Sequence, residues 1–207
     1  MKTLLQLNSS LYSGQGQSTR LADRFVAGWR AANPDDAVIT RDLALDPVPH
    51  LTAERFGAFL AKQHERTPEQ QAIVDDSDAL IAELKRAEVI VLGLPLYNFG
   101  VPSTLKAYFD HIARAGVTFK YTENGSVGLL KGRKVYVFAA RGGLYAGTAA
   151  DSQTPYIRQF LGFLGIDDIE IVYAEGLAIS AASKDAALGG AQAKIEALTQ
   201  SEWRAAA

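Results

Sequence analysis

Three short segments carry the residues whose types and spacing could do chemistry, and none resembles a conventional acid–base or nucleophilic centre. The first, Asn8-Ser9-Ser10-Leu11-Tyr12-Ser13-Gly14-Gln15-Gly16-Gln17, is rich in Gly, Ser and Gln and lacks Lys, Arg, Asp and Glu. At a helix N-terminus its backbone N–H groups, with the hydroxyls of Ser10, Ser18 and Thr19, could cradle a phosphate. A flexible surface turn is the other reading of the same residues. The second segment, Pro95-Leu96-Tyr97-Asn98-Phe99-Gly100, offers flat apolar surface and one amide directly after an apolar strand. The third, Arg141-Gly142-Gly143, combines an arginine with two glycines whose N–H groups can approach a ligand closely. The arginine or those amides could hold negative charge on a reduced ring.

Together these features suit a bound planar cofactor that does the chemistry itself. A hydroxyl-bearing loop suits a phosphate monoester, as in flavin mononucleotide, whereas a glycine-only loop suits a pyrophosphate lying flat on the backbone. The loop is not a Walker loop, because no GK[ST] is present. Gly14-Gln15-Gly16 is half of a dinucleotide fingerprint, with Thr19 at the third glycine position. Asp42 could play the ribose-binding acid, so a Rossmann reading with NAD stays open. Tyr97 and Phe99 could wall a flavin ring, with the Asn98 amide or backbone facing it. A hydrophobic turn packed on the following helix is the plainer alternative. Of the remaining aromatics, Phe59, Tyr121 and Phe163 could line a flat substrate slot, although core packing is the default for such residues.

What is missing narrows the classes further. The chain has no cysteine, which removes disulfides, thiolate nucleophiles, iron–sulfur clusters and cysteine zinc sites. His50, His64 and His111 are scattered without ligand spacing, and no G-x-S-x-G elbow occurs, so no metal and no catalytic triad is expected. A net charge of −2 gives no general attraction to nucleic acid or to anionic membranes. The apolar run Val89–Leu94 is far too short to span a bilayer, and no signal peptide is visible, so a cytoplasmic location is expected.

The elements that must position these segments alternate between strand and helix. Strand-like runs fall at Lys2–Leu7, Val38–Leu43, Val89–Gly93, Lys134–Ala140 and Ile169–Tyr173. Helical patterns lie between them: Ser18 is the expected cap of a helix presenting Leu21, Phe25 and Trp29 on one face. Others follow near Thr52–Lys62, over Pro68–Ala87, from a Ser103 cap, from Thr154-Pro155 to Gly165, and over Ser183–Trp203. Asn124-Gly125 marks a turn in an excursion between Val117 and Leu130. At 207 residues this predicts one α/β domain, 1–207, with a doubly wound five-stranded parallel sheet and helices on both faces. The three candidate segments then share the carboxyl edge of one sheet.

Several strings are specific enough to suggest a family. They are Asn8-Ser9-Ser10, Gly16-Gln17-Ser18, Pro95-Leu96-Tyr97-Asn98-Phe99, Leu105-Lys106-Ala107-Tyr108-Phe109-Asp110, Ala113-Arg114-Ala115-Gly116-Val117-Thr118-Phe119, Tyr121-Thr122-Glu123-Asn124-Gly125, Arg141-Gly142-Gly143 and Phe160-Leu161-Gly162-Phe163. In this order, across nearly the whole chain, they resemble the FMN-dependent NADH azoreductases and quinone oxidoreductases, a flavodoxin-like branch. The resemblance implies a homodimer with two FMN sites at the subunit interface. It implies phosphate contacts from Ser10, Gly16, Gln17 and Ser18, ring and ribityl contacts from Leu96, Tyr97, Asn98 and Phe99, and a pyrimidine edge held by Ala140, Arg141, Gly142 and Gly143. Ala140 stands where the family often has serine, so only backbone contacts carry over there. Phe59 and Leu60 fall in a variable segment that lines the substrate opening. The implied reaction is a hydride from NADH or NADPH to the flavin, then electrons to a quinone or aromatic azo compound in the same slot. One shared slot implies ping-pong kinetics, with Tyr121 and Phe163 stacking on the substrate. Stacking, orientation and charge stabilisation are then the protein's share, with no catalytic side chain of its own. A flavodoxin-type electron carrier without a substrate of its own is the competing reading.

Overall fold

The computed structural model describes residues 1–204. Five apolar runs form parallel strands: β1 (Thr3–Asn8), β2 (Ala37–Asp42), β3 (Val89–Pro95), β6 (Lys134–Ala140) and β7 (Asp168–Ala174), in the spatial order β2-β1-β3-β6-β7. The intervening β4 (Phe119–Thr122) and β5 (Gly125–Gly128) make a separate antiparallel hairpin, turning at Glu123-Asn124, with Gly125 at φ +108°. Among the described residues there are six α-helices: α1 (Gln17–Ala32), α2 (Ala53–Leu60), α3 (Pro68–Arg86), α4 (Ser103–Ile112), α5 (Gln153–Phe163) and α6 (Ala181–Arg204).

The period-two alternation of the strands decides which face each residue serves. Val89 and Val91 of β3, with Tyr136 and Phe138 of β6, pack against Leu21, Phe25 and Trp29 of α1 and Ala191 and Ile195 of α6. Ile90, Leu92 and Leu94, with Val135 and Val137, face Leu80, Ile81 and Leu84 of α3, Leu105 and Phe109 of α4, and Ile157 and Leu161 of α5. Both faces are therefore covered, and β3 is buried along its whole length, as a central parallel strand must be. Each fully buried side chain of this kind contributes about 1.5–3 kcal/mol. Among the described residues no helix is long and apolar enough to cross a membrane.

The element boundaries differ from expectation in instructive places. β3 continues past Gly93 to Pro95, which is tolerated because the proline closes the strand and the next amide, Leu96 N–H, resumes the ladder to Ala140 O at 3.0 Å. The helix starts also move. Gly16, not Ser18, caps α1, Pro102 rather than Ser103 caps α4, and Ser152 rather than Thr154 caps α5, all without a side-chain cap bond. At α1 and α4 the extended backbone of the preceding residue, Gly16 or Pro102, settles the start, and its carbonyl accepts the first helical bond, from Arg20 or Lys106 at 3.0 Å. A hydroxyl does cap the helix expected from Pro68, although the sequence reading names no cap there. Thr67 and Gln70 form a reciprocal capping box ahead of α3, with Pro68 in its first turn.

Because all five strands are parallel, the loops after β1, β3 and β6 share one edge. The chain leaves β1 for β2 on one side and returns through β3 on the other, which opens a crevice between the two loops.

Candidate functional site

The loop after β1 is anchored from both sides and leads into a helical turn whose donors are free among the described residues. Ser9 ties it to β3 through its N–H and hydroxyl, both donating to Gly93 O at 3.2 and 2.7 Å. Ser10 is buried, accepts from Tyr12 N–H at 3.2 Å and lies 3.4 Å from the Tyr97 hydroxyl. Ser13, at φ +48°, donates to Asp42 at 2.5 Å. The other Asp42 oxygen accepts from Ala44 N–H, so this carboxylate is occupied in holding the loop and is not the ribose-binding acid of a Rossmann site. Gly16 has a packing reason of its own: a Cβ there would stand 2.1 Å from Ser10 Oγ. Beyond it, the N–H groups of Gln17, Ser18 and Thr19 belong to the first turn of α1 and have no partner among the described residues. The hydroxyls of Ser18 and Thr19 are buried and equally unpartnered. Buried donors without acceptors are costly, and no acidic residue occupies this first turn. Phosphate oxygens are the acceptors that chemistry calls for, so the residues fit a phosphate monoester.

The loop after β3 is a tight reversal. Tyr97 and Gly100 exchange backbone hydrogen bonds at 3.3 and 2.9 Å, and Asn98 and Phe99 between them stand at φ +49° and +63°. Left-handed backbone at residues other than glycine costs on the order of 1 kcal/mol each. The cost is sustained by neighbours that sequence reasoning missed. Gln153, buried at the first position of α5, donates to Pro95 O at 2.9 Å and Gly100 O at 3.1 Å, and the Ser152 hydroxyl donates to Phe99 O. No local pattern around Gln153 distinguishes it from any residue at a helix start. Leu96 and Tyr97 are half-buried, whereas Asn98 and Phe99 project into solvent, with Phe99 edge-on to Tyr145 at 5.6 Å.

The loop after β6 corrects the reading of Arg141. Its side chain is only 1% exposed and turns inward, pairing with Glu175 at 3.1 Å and Asp151 at 3.2 Å, bonding to the Thr154 hydroxyl at 2.9 Å and stacking on the Tyr173 ring at 4.9 Å. It is therefore not free to meet charge on a ligand; what the loop can offer is backbone. The carbonyls of Arg141 and Gly142 accept from Leu177 and Ala178 N–H at 3.1 and 3.0 Å. Every described peptide is trans, so the N–H groups of Gly142 and Gly143, in those same two peptides, point the opposite way. Neither has a partner among the described residues. Ala140, which closes β6, has its carbonyl on Leu96 N–H and brings no side-chain donor.

The expected substrate residues form another group. Phe59, Leu60 and Tyr121 line a hollow of about 500 Å³ with Phe56, Arg114 and Phe119. Phe59 is held there by the Arg114 guanidinium, 5.2 Å from its ring, and by His111 edge-on at 5.6 Å. Arg114 is in turn fixed by Asp78 at 2.5 Å and Ser77 at 3.1 Å. Phe163 does not line this hollow. It packs on the far side of Phe119 at 4.3 Å and borders a smaller one with Tyr156 and Phe160. A hollow of about 480 Å³ beside Phe99 is lined by Val101, Lys106, Ser152 and Tyr156. Phe59, Leu60 and Tyr121 thus border a different hollow from Phe99 within one copy of the chain.

Residues 1–199 match the model of a family described by its flavodoxin-like fold. The chain belongs to this flavodoxin-like family. It is 55% identical over 196 residues to an FMN-dependent NADH:quinone oxidoreductase of Cellvibrio japonicus, covering 95% of this chain and 98% of that one. The identity is again 55% over 197 residues to FMN-dependent NADH:quinone oxidoreductase 6 of Burkholderia lata, covering 95% of this chain and 100% of that one. Among solved structures, the FMN complex of an FMN-dependent NADH-azoreductase of Bacillus anthracis superposes with a TM-score of 0.88 at 30% identity, covering 97% of this chain and 98% of that one.

Proposed function

We propose that this chain is an FMN-dependent oxidoreductase that takes a hydride from NADH and reduces quinones and aromatic azo compounds by a ping-pong mechanism, as a cytoplasmic homodimer built from a single domain. The observation that carries the reading is the pair of unsatisfied donor sets at one sheet edge. Among the described residues the first turn of α1 has three free N–H groups and two buried, partnerless hydroxyls, and Gly142 and Gly143 present two successive free amides. Such sets match a phosphate at one end of a ligand and a row of ring acceptors at the other. The names borne by relatives at 55% identity support the same choice of cofactor and donor.

In this reading Ser10, Gly16, Gln17 and Ser18 hold the phosphate, and Leu96, Tyr97, Asn98 and Phe99 lie along the ring and ribityl chain. Ala140, Arg141, Gly142 and Gly143 meet the pyrimidine edge through their backbone. Bound FMN would supply the hydride and electron chemistry. Several ionisable side chains at the three loops are engaged in positioning: Asp42 of β2 on Ser13, Arg141 on its two carboxylates, and the Tyr97 hydroxyl beside Ser10. The protein's share is therefore orientation and stabilisation of charge by fixed amides. Phe59, Leu60, Tyr121 and Phe163 shape the acceptor's slot, the last two from the partner copy.

The test is a visible spectrum of the purified protein, followed by NADH without oxygen and then a benzoquinone. Flavin bands that bleach with NADH and return with quinone are expected. A colourless protein that FMN cannot reconstitute would overturn the reading, and bound flavin that neither NADH nor NADPH reduces would favour an electron carrier.

A further inference from the structure

The loop after β6 is wrapped around a carboxylate. Glu175, one residue beyond β7, accepts from Arg141 Nη1 at 3.1 Å, from Tyr145 N–H at 3.0 Å and from Ala146 N–H at 2.9 Å, all on one oxygen. Its second oxygen accepts from Ala146 N–H at 3.2 Å. The next three residues take up the loop's carbonyls: Gly176 N–H donates to Gly143 O at 2.9 Å, Leu177 to Arg141 O and Ala178 to Gly142 O. Gly176, at φ +74°, lets the chain turn so that the carboxylate and these amides grip the same loop. Residues 141–146 are thus pinned by carbonyls at one end and by N–H groups at the other.

We propose that Glu175 is the positioning residue that aims the Gly142 and Gly143 amides at the flavin's pyrimidine edge. The inference rests on the flavin reading above and assigns to one acidic side chain the restraint on the N–H end of the loop. The physical case is one of acceptor capacity. Three donors converge on one side chain, and only an ionised carboxylate meets them all with charge-assisted bonds. Without it, the N–H groups of Tyr145 and Ala146 lose their acceptor, and the segment that follows the two glycines is released. Arg141 is not orphaned by that change, because Asp151 and Thr154 still hold it. The folded protein should therefore tolerate loss of Glu175 better than loss of a sole partner of a buried charge.

Asp151 supplies the internal control. It also pairs with Arg141, but its other bond is to Thr154 N–H at the start of α5, and it holds no N–H of the loop. Glu175→Ala and Asp151→Asn each remove one negative charge beside the same guanidinium, while only the first removes the acceptor of the Tyr145 and Ala146 N–H groups. Riboflavin, which lacks the phosphate, reads the ring contacts alone. Titrated by fluorescence quenching, E175A should bind riboflavin and FMN about tenfold more weakly than wild type, and D151N by less than about threefold. The reduction potential of the bound flavin should be lower in E175A than in D151N, because misplaced amides stabilise the reduced ring less. Glu175→Gln keeps one carbonyl acceptor and should recover part of the loss. It replaces E175A in the comparison if circular dichroism shows E175A unfolded. Wild-type affinity and potential in both Glu175 variants, or equal losses in D151N, would overturn the inference. Failure of the wild-type protein itself to bind FMN would instead overturn the reading of the site, and this inference with it.

Discussion

At the scale of single residues, the site depends on small side chains packed against one another. Gly16 is buried where a Cβ would stand 2.1 Å from Ser10 Oγ and 2.5 Å from Ser10 Cβ. Gly16→Ala must therefore displace Ser10 or the first turn of α1, at a cost of about 1–3 kcal/mol. The damage lies at the phosphate end, so G16A should weaken FMN by about tenfold or more and leave riboflavin nearly unchanged; parallel fluorescence titrations measure both. Equal losses for the two ligands would place the phosphate elsewhere. Ser10 and Ser18 stand out in the sequence because hydroxyls near a helix start have local meaning, whereas Gly16 reads there as half of a dinucleotide fingerprint and, by resemblance, as a phosphate contact. Its real constraint is a neighbour's side chain, which spacing does not reveal. Arg141 was misread for the same reason, since its partners Asp151 and Glu175 come from the start of α5 and the end of β7. Burial pushes the Asp151 carboxyl up, but bonds from Thr154 and Arg141 outweigh this and hold it below the ordinary value.

At the scale of elements, periodicity made the strands and helices legible, and tertiary contacts decided the rest. Leu21, Phe25 and Trp29 announce α1, and the burial of β3 on both faces announces a central strand. At the reversal, Asn98 and Gly100 allow a turn to be read, but nothing local marks Phe99 for positive φ, and Gln153 and Ser152 from α5 and its cap brace the segment there. Gln153→Ala leaves the carbonyls of Pro95 and Gly100 without that donor and should cost about 1–3 kcal/mol. A lower urea midpoint at unchanged m value is the expected result. The buried histidine of α4 gives a second element-scale prediction. His111 donates from Nδ1 to Ala107 O at 2.9 Å, while its Nε2 is buried without a partner. Burial lowers its pKa from the usual 6.5, against the opposing pull of Ala107 O, Asp110 and Asp76 and with a further push from Arg55. The unfolded chain then takes up the proton first as the pH falls. This contribution to stability is full above about pH 6.5 and declines below it. Denaturant melts between about pH 7.5 and about pH 5.5 should show that decline in wild type and a shallower one in His111→Gln.

At the scale of the whole molecule, the aromatic residues form a surface that one copy of the chain does not cover. Tyr121 is 75% exposed and Leu60 67%, and Phe56 and Phe99 are also more than half exposed. Ring contacts link Tyr121 to Phe119 and Phe119 to Phe163, with Tyr156 and Phe160 adjoining across the next hollow. Exposed apolar surface of this extent marks an interaction site. The proposed dimer would complete each site by presenting one copy's Tyr121 and Phe163 to the other copy's flavin. Sedimentation should then give a dimer, and Tyr121→Ala should raise the KM for quinone more than it weakens FMN binding. Mixing decides between copies. At FMN concentrations too low to fill its weakened phosphate site, G16A still keeps Tyr121, whereas the double variant Y121A/F163A keeps the phosphate site. If the aromatics act across the interface, a hybrid dimer contains one intact site, and mixing the two weak proteins under exchange conditions should restore quinone reduction. If they act within one copy, neither site in the hybrid is intact and mixing should restore nothing.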